Sequence, residues 1–326
     1  MQRHPRDQHH MTIIHAVSMS AGKDSTATAI LALEEHPNES LRFAACDTGN
    51  EGDGWRDYLA YLEKALGISI TILRASFDRE IAGKRAYVLS HWASKGVPTW
   101  VVDRAAAILV PTGNPFLDLC LWKGRFPSRR AQFCTQHLKT LPLVEYQMGF
   151  IDRGEADAVW AWQGVRLDES ESRRSRLHIS GHMVRSFEET GGGIFNYRPI
   201  LRWSAADAFE AHRIAGVAPN PLYMQGMSRV GCMPCVNSNK DELLQISKRF
   251  PEVIERIAEW EALVGIAAKG GVAGFFPDPD RDVHLNKRGI RNMVEWSKTQ
   301  RGGRLMDFIR INEEPKACES AYGLCE

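Results

Sequence analysis

The amino-acid sequence predicts an α/β protein, an open parallel sheet with helices on both faces, followed by a smaller, mostly helical, cysteine-bearing C-terminal region. Three observations point there. Short apolar runs alternate with amphipathic helical stretches from residue 13 onward, a polar loop follows each of the first two runs, and a close cysteine pair marks a change of texture near residue 219. The expected organisation is a polar tail over 1–10, an α/β domain over 11–218 and a helical region with a cysteine site over 219–326.

Ile13 to Val17 is a β-branched run that ends in Ser20-Ala21-Gly22-Lys23-Asp24-Ser25, after which Thr26 to Glu35 reads as a helix closed by Pro37. A second run, Phe43 to Cys46, leads into Asp47-Thr48-Gly49-Asn50-Glu51. The helix after it places Trp55, Tyr58, Leu59, Leu62 and Leu66 on one face, and Ile68 to Leu73 reads as a third strand. Residues 80–145 show no clear period until a helix over 140–149. Ala156 to Trp162 is a further strand, and Gly191-Gly192-Gly193 a flexible turn. Later helices start at Ser204, at a capping-box pattern from Asn239 to Glu242, and at Pro251, with a last one over 286–299. Alternation of this kind implies right-handed parallel crossovers, with ligands beyond the carboxyl ends of the strands.

Composition narrows the class. Of 326 residues, 44% are hydrophobic and 25% charged, which suits a globular chain rather than a disordered or fibrous one. Lys+Arg 41 against Asp+Glu 40 leaves a net charge of +1, so no overall field selects a polyanion. No apolar run approaches the roughly 20 residues of a membrane span, and the polar N-terminus is unlike a secretion signal. A cytoplasmic protein without membrane partners is expected. The seven cysteines, 46, 120, 134, 232, 235, 318 and 325, are therefore not read as a disulfide framework.

The loop from Ser20 to Ser25 joins a strand to a helix, where helix-start N–H groups, the dipole and hydroxyl donors converge on an anion. It is either a phosphate cradle or an ordinary capped turn. It is not a Walker A loop, since Val17 stands at the first glycine position and Asp24 follows Lys23.

This loop resembles the pyrophosphate loop Ser-Gly-Gly-x-Asp-Ser of the adenine-nucleotide α-hydrolases, with Ala21 in place of the first glycine. Three further segments are similar, in order, to those of the phosphoadenosine phosphosulfate reductase family. They are Asp47-Thr48-Gly49-x-Glu51, the arginine loop Gly164-x-Arg166-x-x-Glu169-Ser170-x-x-Arg173, and Arg229-Val230-Gly231-Cys232-x-x-Cys235. The resemblance spans residues 13–240 and implies a nucleotide-binding α/β domain. The ligand it implies is ATP or phosphoadenylyl sulfate, with the phosphates expected on Ser20, Ala21, Gly22, Lys23, Asp24 and Ser25. Asp47, Thr48 and Gly49 meet the nucleoside end or a magnesium ion, although Asp47 has the alternative of capping the next helix. Gly164 belongs to the same pocket, and Arg166 and Arg173 offer planar forks to phosphate or sulfate oxygens. Lys23, Asp24, Arg166 and Arg173 are the candidate catalytic set, with Cys325 as a candidate nucleophile.

Cys232-x-x-Cys235 alone fits a zinc half-site, a redox pair or a cluster half-site. The resemblance adds Cys134 upstream, and Cys318 or Cys325 in the tail as a fourth thiolate. It thereby implies a 4Fe–4S cluster, with zinc as the rival. Cys46 and Cys120 are read as structural.

What the resemblance implies for function is iron–sulfur-dependent sulfur transfer, in which ATP adenylylates an acceptor oxygen that sulfur from a cysteine desulfurase-like donor protein then replaces. The basic, acid-free window 119–144, with Trp122, Lys123, Arg125, Phe126, Arg129 and Arg130, suggests a nucleic-acid acceptor. The rivals are reduction of adenylyl sulfate or phosphoadenylyl sulfate to sulfite by a tail cysteine and a thiol reductant, and a non-catalytic nucleotide- or zinc-binding subunit of a modification complex.

Overall fold

A computed structural model describes residues 11–169, 187–225, 227–277 and 289–299. Its strands are β1 (Ile13–Met19), β2 (Leu41–Cys46), β3 (Ile70–Leu73), β4 (Ala158–Trp162), β5 (Phe187–Gly191) and β6 (Ile194–Tyr197). Helices α1 (Lys23–Glu35), α2 (Trp55–Leu66), α3 (Asp78–His91), α4 (Thr99–Ile108), α5 (Pro115–Lys123) and α6 (Leu141–Asp152) fall among the first strands. Then come α7 (Ala205–Ile214), α8 (Pro221–Met224), α9 (Lys240–Arg249), α10 (Pro251–Ala267) and α11 (Ile290–Ser297).

The sheet order is β3-β2-β1-β4-β6-β5. The first five pair in parallel, with Val17 opposite both Phe43 and Trp162, and β5 closes the edge antiparallel to β6. The predicted fold class therefore stands, and the glycine turn at 191–193 proves to be the corner of this edge hairpin.

Because side chains alternate along β1, Val17 and Met19 face one layer, with Ala29, Ile30, Trp55 and Leu62, while Ile14 and Ala16 face Phe150 on the other. Helices thus cover both faces, as both-sided burial of a parallel sheet demands. The order of the strands reverses between β1 and β4, so the crevice at their carboxyl ends is the topological switch point where such sheets bind ligands.

A third apolar cluster unites Ile81, Leu109, Phe116, Phe126 and Leu138 with Ile246, Ile257, Val264 and Met293. The apolar packing thus crosses residue 218, and the stretch that lacked a legible period supplies one wall of the C-terminal region. Phe126 is buried there and Trp122 stacks on Phe77 at 5.9 Å between ring centroids. Lys123 lies over Trp122 and Arg125 over Phe133. Phe126 thus serves the apolar packing, and Trp122 is half-buried against Phe77.

Candidate phosphate and thiol site

At the carboxyl end of β1 the chain turns into α1 through Ser20-Ala21-Gly22. Ala21 adopts φ +64°, the left-handed conformation that glycine takes without strain, and is wholly buried. Alanine thus holds the turn that the resembling loops form with glycine. The Gly22 carbonyl accepts from Ser25 Oγ at 3.0 Å, Thr26 Oγ1 at 3.1 Å and Thr26 N at 3.1 Å. Ser25 Oγ also accepts from Ser20 N at 3.1 Å and lies 3.1 Å from Ser20 Oγ. No N-cap side chain covers the start of α1, so the end of the helix carries partial positive charge.

Gly164 follows β4 and crosses directly over this turn. A Cβ there would stand 2.7 Å from the carbonyl carbon and oxygen of Asp24 and 2.8 Å from Ser25 N, all backbone atoms. Only glycine permits the two loops to meet. Two residues on, Arg166 is buried, and its Nε donates to Asp24 Oδ1 at 2.7 Å while Nη1 pairs with Asp168. Lys23 Nζ lies 3.4 Å from Asp24 Oδ2. Asp24 is thus engaged by two cations, and Arg166 braces the loop through Nε while Asp168 of its own segment holds Nη1. Arg173 lies outside the described residues.

After β2, Asp47 Oδ1 accepts from Gly49 N at 3.0 Å, and Oδ2 pairs with Arg56 at 2.6 Å and Arg74 at 3.9 Å. Gly54, not Asp47, is the N-cap of α2, which closes the capping alternative. Glu51 accepts from the Thr48 and Gly49 amides at 3.0–3.2 Å and from the Thr48 hydroxyl. Burial pushes its carboxyl up, opposed by the Thr48 hydroxyl bond. Gly49 is at φ +79°, and an added Cβ would stand 2.7 Å from Asn114 Oδ1.

This second loop is joined to the cysteine segment. Glu51 and Cys232 form an antiparallel bridge, Met233 N donates to Asn50 O at 2.7 Å, and Asn50 Nδ2 donates to Pro234 O at 2.9 Å. Arg256 Nη2 adds a bond to Met233 O at 2.9 Å. Thr48 Oγ1 then lies 3.7 Å from Cys232 Sγ.

Cys134, Cys232 and Cys235 share one neighbourhood. Burial pushes the Cys134 thiol up to about 11 and Cys232 up to about 12; the neighbouring cysteines push in the same direction and Lys139 opposes them. Among the described residues, however, no three His, Cys, Asp or Glu side chains converge as a metal-binding set. Cys318 and Cys325 lie outside the described residues. Three thiols in one neighbourhood suit a thiophilic metal in kind, and Cys134, Cys232 and Cys235 are the side chains that would hold it. Cys120 is buried in the apolar core, whereas Cys46 lines the cavity between the loops with Ser20, Ser25, Glu51, Lys139 and Gly164.

Sequence reasoning passed over Tyr223, His212 and Asn220. Lys139 lies in a π-helical turn, Gln136–Thr140, a geometry often found at functional sites. His212 Nε2 lies 2.9 Å from Lys23 O, Tyr223 Oη accepts from Lys23 N at 2.9 Å, and Asn220 Nδ2 donates to Ala21 O at 3.3 Å. These contacts span about 190 to 200 residues of chain, and no local pattern announces them.

Fold and site together define an α/β protein with a phosphate-type loop at its switch point and a thiol-bearing segment against the neighbouring loop. A family model for the phosphoadenosine phosphosulfate reductase domain matches residues 121–238. The chain is 40% identical over 340 residues to an uncharacterised 37.8 kDa protein of Escherichia phage 186, covering 96% of this chain and 97% of that one. It is 25% identical over 224 residues to an adenosine 5'-phosphosulfate reductase of Streptomyces coelicolor, covering 68% of this chain and 84% of that protein. A solved phosphoadenylyl-sulfate reductase of Candida auris, in a phosphate complex, aligns at 15% identity and a TM-score of 0.38 over 69% of this chain and 82% of that one. The region that matches this domain model, 121–238, includes Cys134, Gly164, Arg166, Cys232 and Cys235. No helix among the described residues is long and apolar enough to cross a membrane.

Proposed function

We propose that the chain is an adenine-nucleotide-dependent enzyme of sulfur transfer, with the nucleotide's phosphates on the Ser20–Ser25 loop and the thiols of the 232–235 segment beside it. The observation that carries this reading is the junction of the two parts. The loop holding Thr48 and Glu51 adjoins the cavity at Ser20 and Ser25 on one side and meets Cys232 on the other. ATP is the preferred ligand. An acceptor oxygen attacks the α-phosphorus, the bond to the bridging oxygen breaks, and pyrophosphate leaves with that electron pair. Hydrosulfide, released from a donor-protein persulfide by a thiol reductant that is oxidised to disulfide, then attacks the atom bearing the adenylylated oxygen, and AMP departs with that oxygen and the electron pair of the broken bond.

In this account Lys23, Ser25 and the open amides of α1 hold the pyrophosphate. Arg166 and Asp24 fix the loop in place, and Arg173 meets the transferred anion. A 4Fe–4S cluster on Cys134, Cys232, Cys235 and one tail cysteine, when bound, supplies a sulfide-holding centre; zinc would leave only a structural role. The acceptor is a nucleic acid and the sulfur comes from a donor protein. The kinship with the Streptomyces coelicolor reductase favours one second reading, reduction of adenylyl sulfate or phosphoadenylyl sulfate with Cys325 as nucleophile.

The test uses the full chain purified without oxygen. Pyrophosphate release that requires both ATP and added nucleic acid supports sulfur transfer, and sulfite release from adenylyl sulfate with a thiol reductant supports the second reading. Neither product would leave a nucleotide-binding subunit without catalysis.

A further inference from the structure

The amide of Lys23 is the first N–H of α1 and stands among the donors that a bound phosphate takes. It is not open. The phenolic oxygen of Tyr223 accepts from it at 2.9 Å. The same ring lies 5.5 Å from Lys23 Nζ, and Phe209 meets its edge at 5.3 Å between centroids, so the phenol is seated rather than passing by. A Cβ at Gly22 would stand 3.5 Å from Tyr223 Oη and 3.7 Å from Val230 O, so both groups lie against the loop.

We infer that Tyr223 is a positioning residue of the phosphate site: its hydroxyl keeps the place of a phosphate oxygen on the Lys23 amide and yields it when nucleotide binds. The inference rests on the reading that the Ser20–Ser25 loop takes phosphate. One N–H cannot serve both acceptors at full strength. A hydrogen bond to a charged phosphate oxygen is roughly twice as strong as one between neutral groups, so phosphate wins the exchange and pays the cost of moving the phenol.

The displacement has somewhere to go. Tyr223 belongs to a strap, 220–225 and 227–233, that touches both loops. Asn220 holds Ala21 O, Met227 N bonds Leu222 O at 3.1 Å, Gly231 O accepts from Gly52 N at 3.3 Å, and Cys232 bridges Glu51. Moving the phenol off Lys23 therefore loosens the strap that ends in the cysteine pair, and phosphate occupancy is reported to the thiols.

The experiment titrates the full-length wild type and Tyr223→Phe with ATP, inorganic pyrophosphate and adenosine by calorimetry. Removing the competing hydroxyl should tighten ATP and pyrophosphate by roughly two- to tenfold, the range of one neutral hydrogen bond, and leave adenosine unchanged. In the wild type, ATP should speed amide hydrogen exchange over 221–231, whereas in Tyr223→Phe that stretch should exchange fast without ATP. Weaker or unchanged pyrophosphate binding by the variant, or ATP-induced protection of 221–231 in the wild type, would overturn the inference while leaving phosphate binding intact. Absence of ATP and pyrophosphate binding in both proteins would instead remove the phosphate reading itself, and the inference with it.

Discussion

The guanidinium Nε of Arg166 donates to Oδ1 of Asp24 at 2.7 Å, and each side chain is only 3% exposed. The pair joins the loop after β4 to the first turn of α1, the two elements that flank the switch point. Buried pairs of this kind add little net stability against an apolar replacement, but removing one partner strands the other. Arg166→Ala should therefore cost about 3 kcal/mol in urea unfolding and abolish ATP binding. Arg166→Met, which fills the space, should remain as unstable, since Asp24 still loses its main partner. Wild-type ATP affinity in a folded Arg166→Ala protein would remove the brace from the account.

Gly164→Ala tests the crossing of the two loops. The added methyl meets backbone at 2.7 Å, which no rotamer change relieves. Stability should fall by about 1–3 kcal/mol as the loops part, and ATP affinity at least tenfold, measured by calorimetry. An unchanged affinity would mean that the approach of the loops is not used in binding.

His15 sets a pH dependence. Burial, aided by the stacked His36, lowers its pKa to about 4, and Trp162 Nε1 donates to its Nδ1 at 3.0 Å, a bond that only the neutral acceptor nitrogen can receive. Between pH 6.5 and 4 the unfolded chain binds the proton and the folded one does not. Stability from this group is thus complete above about pH 6.5 and is lost as pH falls towards 4, by roughly 3 kcal/mol at most. His15→Asn should flatten the slope of unfolding free energy over that window. An equally steep slope in the variant would assign the acid sensitivity elsewhere.

Phe126→Ala should destabilise by about 3–5 kcal/mol, because the ring fills the cluster that unites the 77–138 segment with α9 and α10. A base-stacking aromatic would show the opposite pattern, unchanged stability and weaker nucleic-acid binding.

Metal content bears on the thiols. Protein purified without oxygen should carry about four irons and four acid-labile sulfides, and Cys232→Ser or Cys235→Ser should lose most of both. Zinc, or full iron retention in these variants, would contradict the cluster assignment.

Much of the fold was legible because local chemistry and global architecture agree in it. The β-branched run at 13–17, the helical face from Trp55 to Leu66, and the Ser204 and Asn239 capping boxes all act over a few residues. The π turn at Gln136 and helices α3 to α5 were not legible, since α5 is buried on nearly every side and α3 offers only Ile81 and Val88 to the core. The site divides in the same way. Ser20 to Ser25 and Cys232 to Cys235 are contiguous motifs, whereas the reason for Gly164 lies in Asp24, and Tyr223 and His212 enter through folding alone. Asp47 shows the limit from the other side: the sequence left it a choice between nucleotide contact and capping, and nothing local announced its pairing with Arg56 and Arg74.

The central claim is that the Ser20–Ser25 loop binds the phosphates of an adenine nucleotide, and calorimetric titration of ATP into wild type and Lys23→Ala/Ser25→Ala tests it most directly. The account predicts saturable binding by the wild type and at least a hundredfold loss in the double variant, with the far-ultraviolet circular dichroism of the fold retained. Equal affinity in the two folded proteins would contradict it.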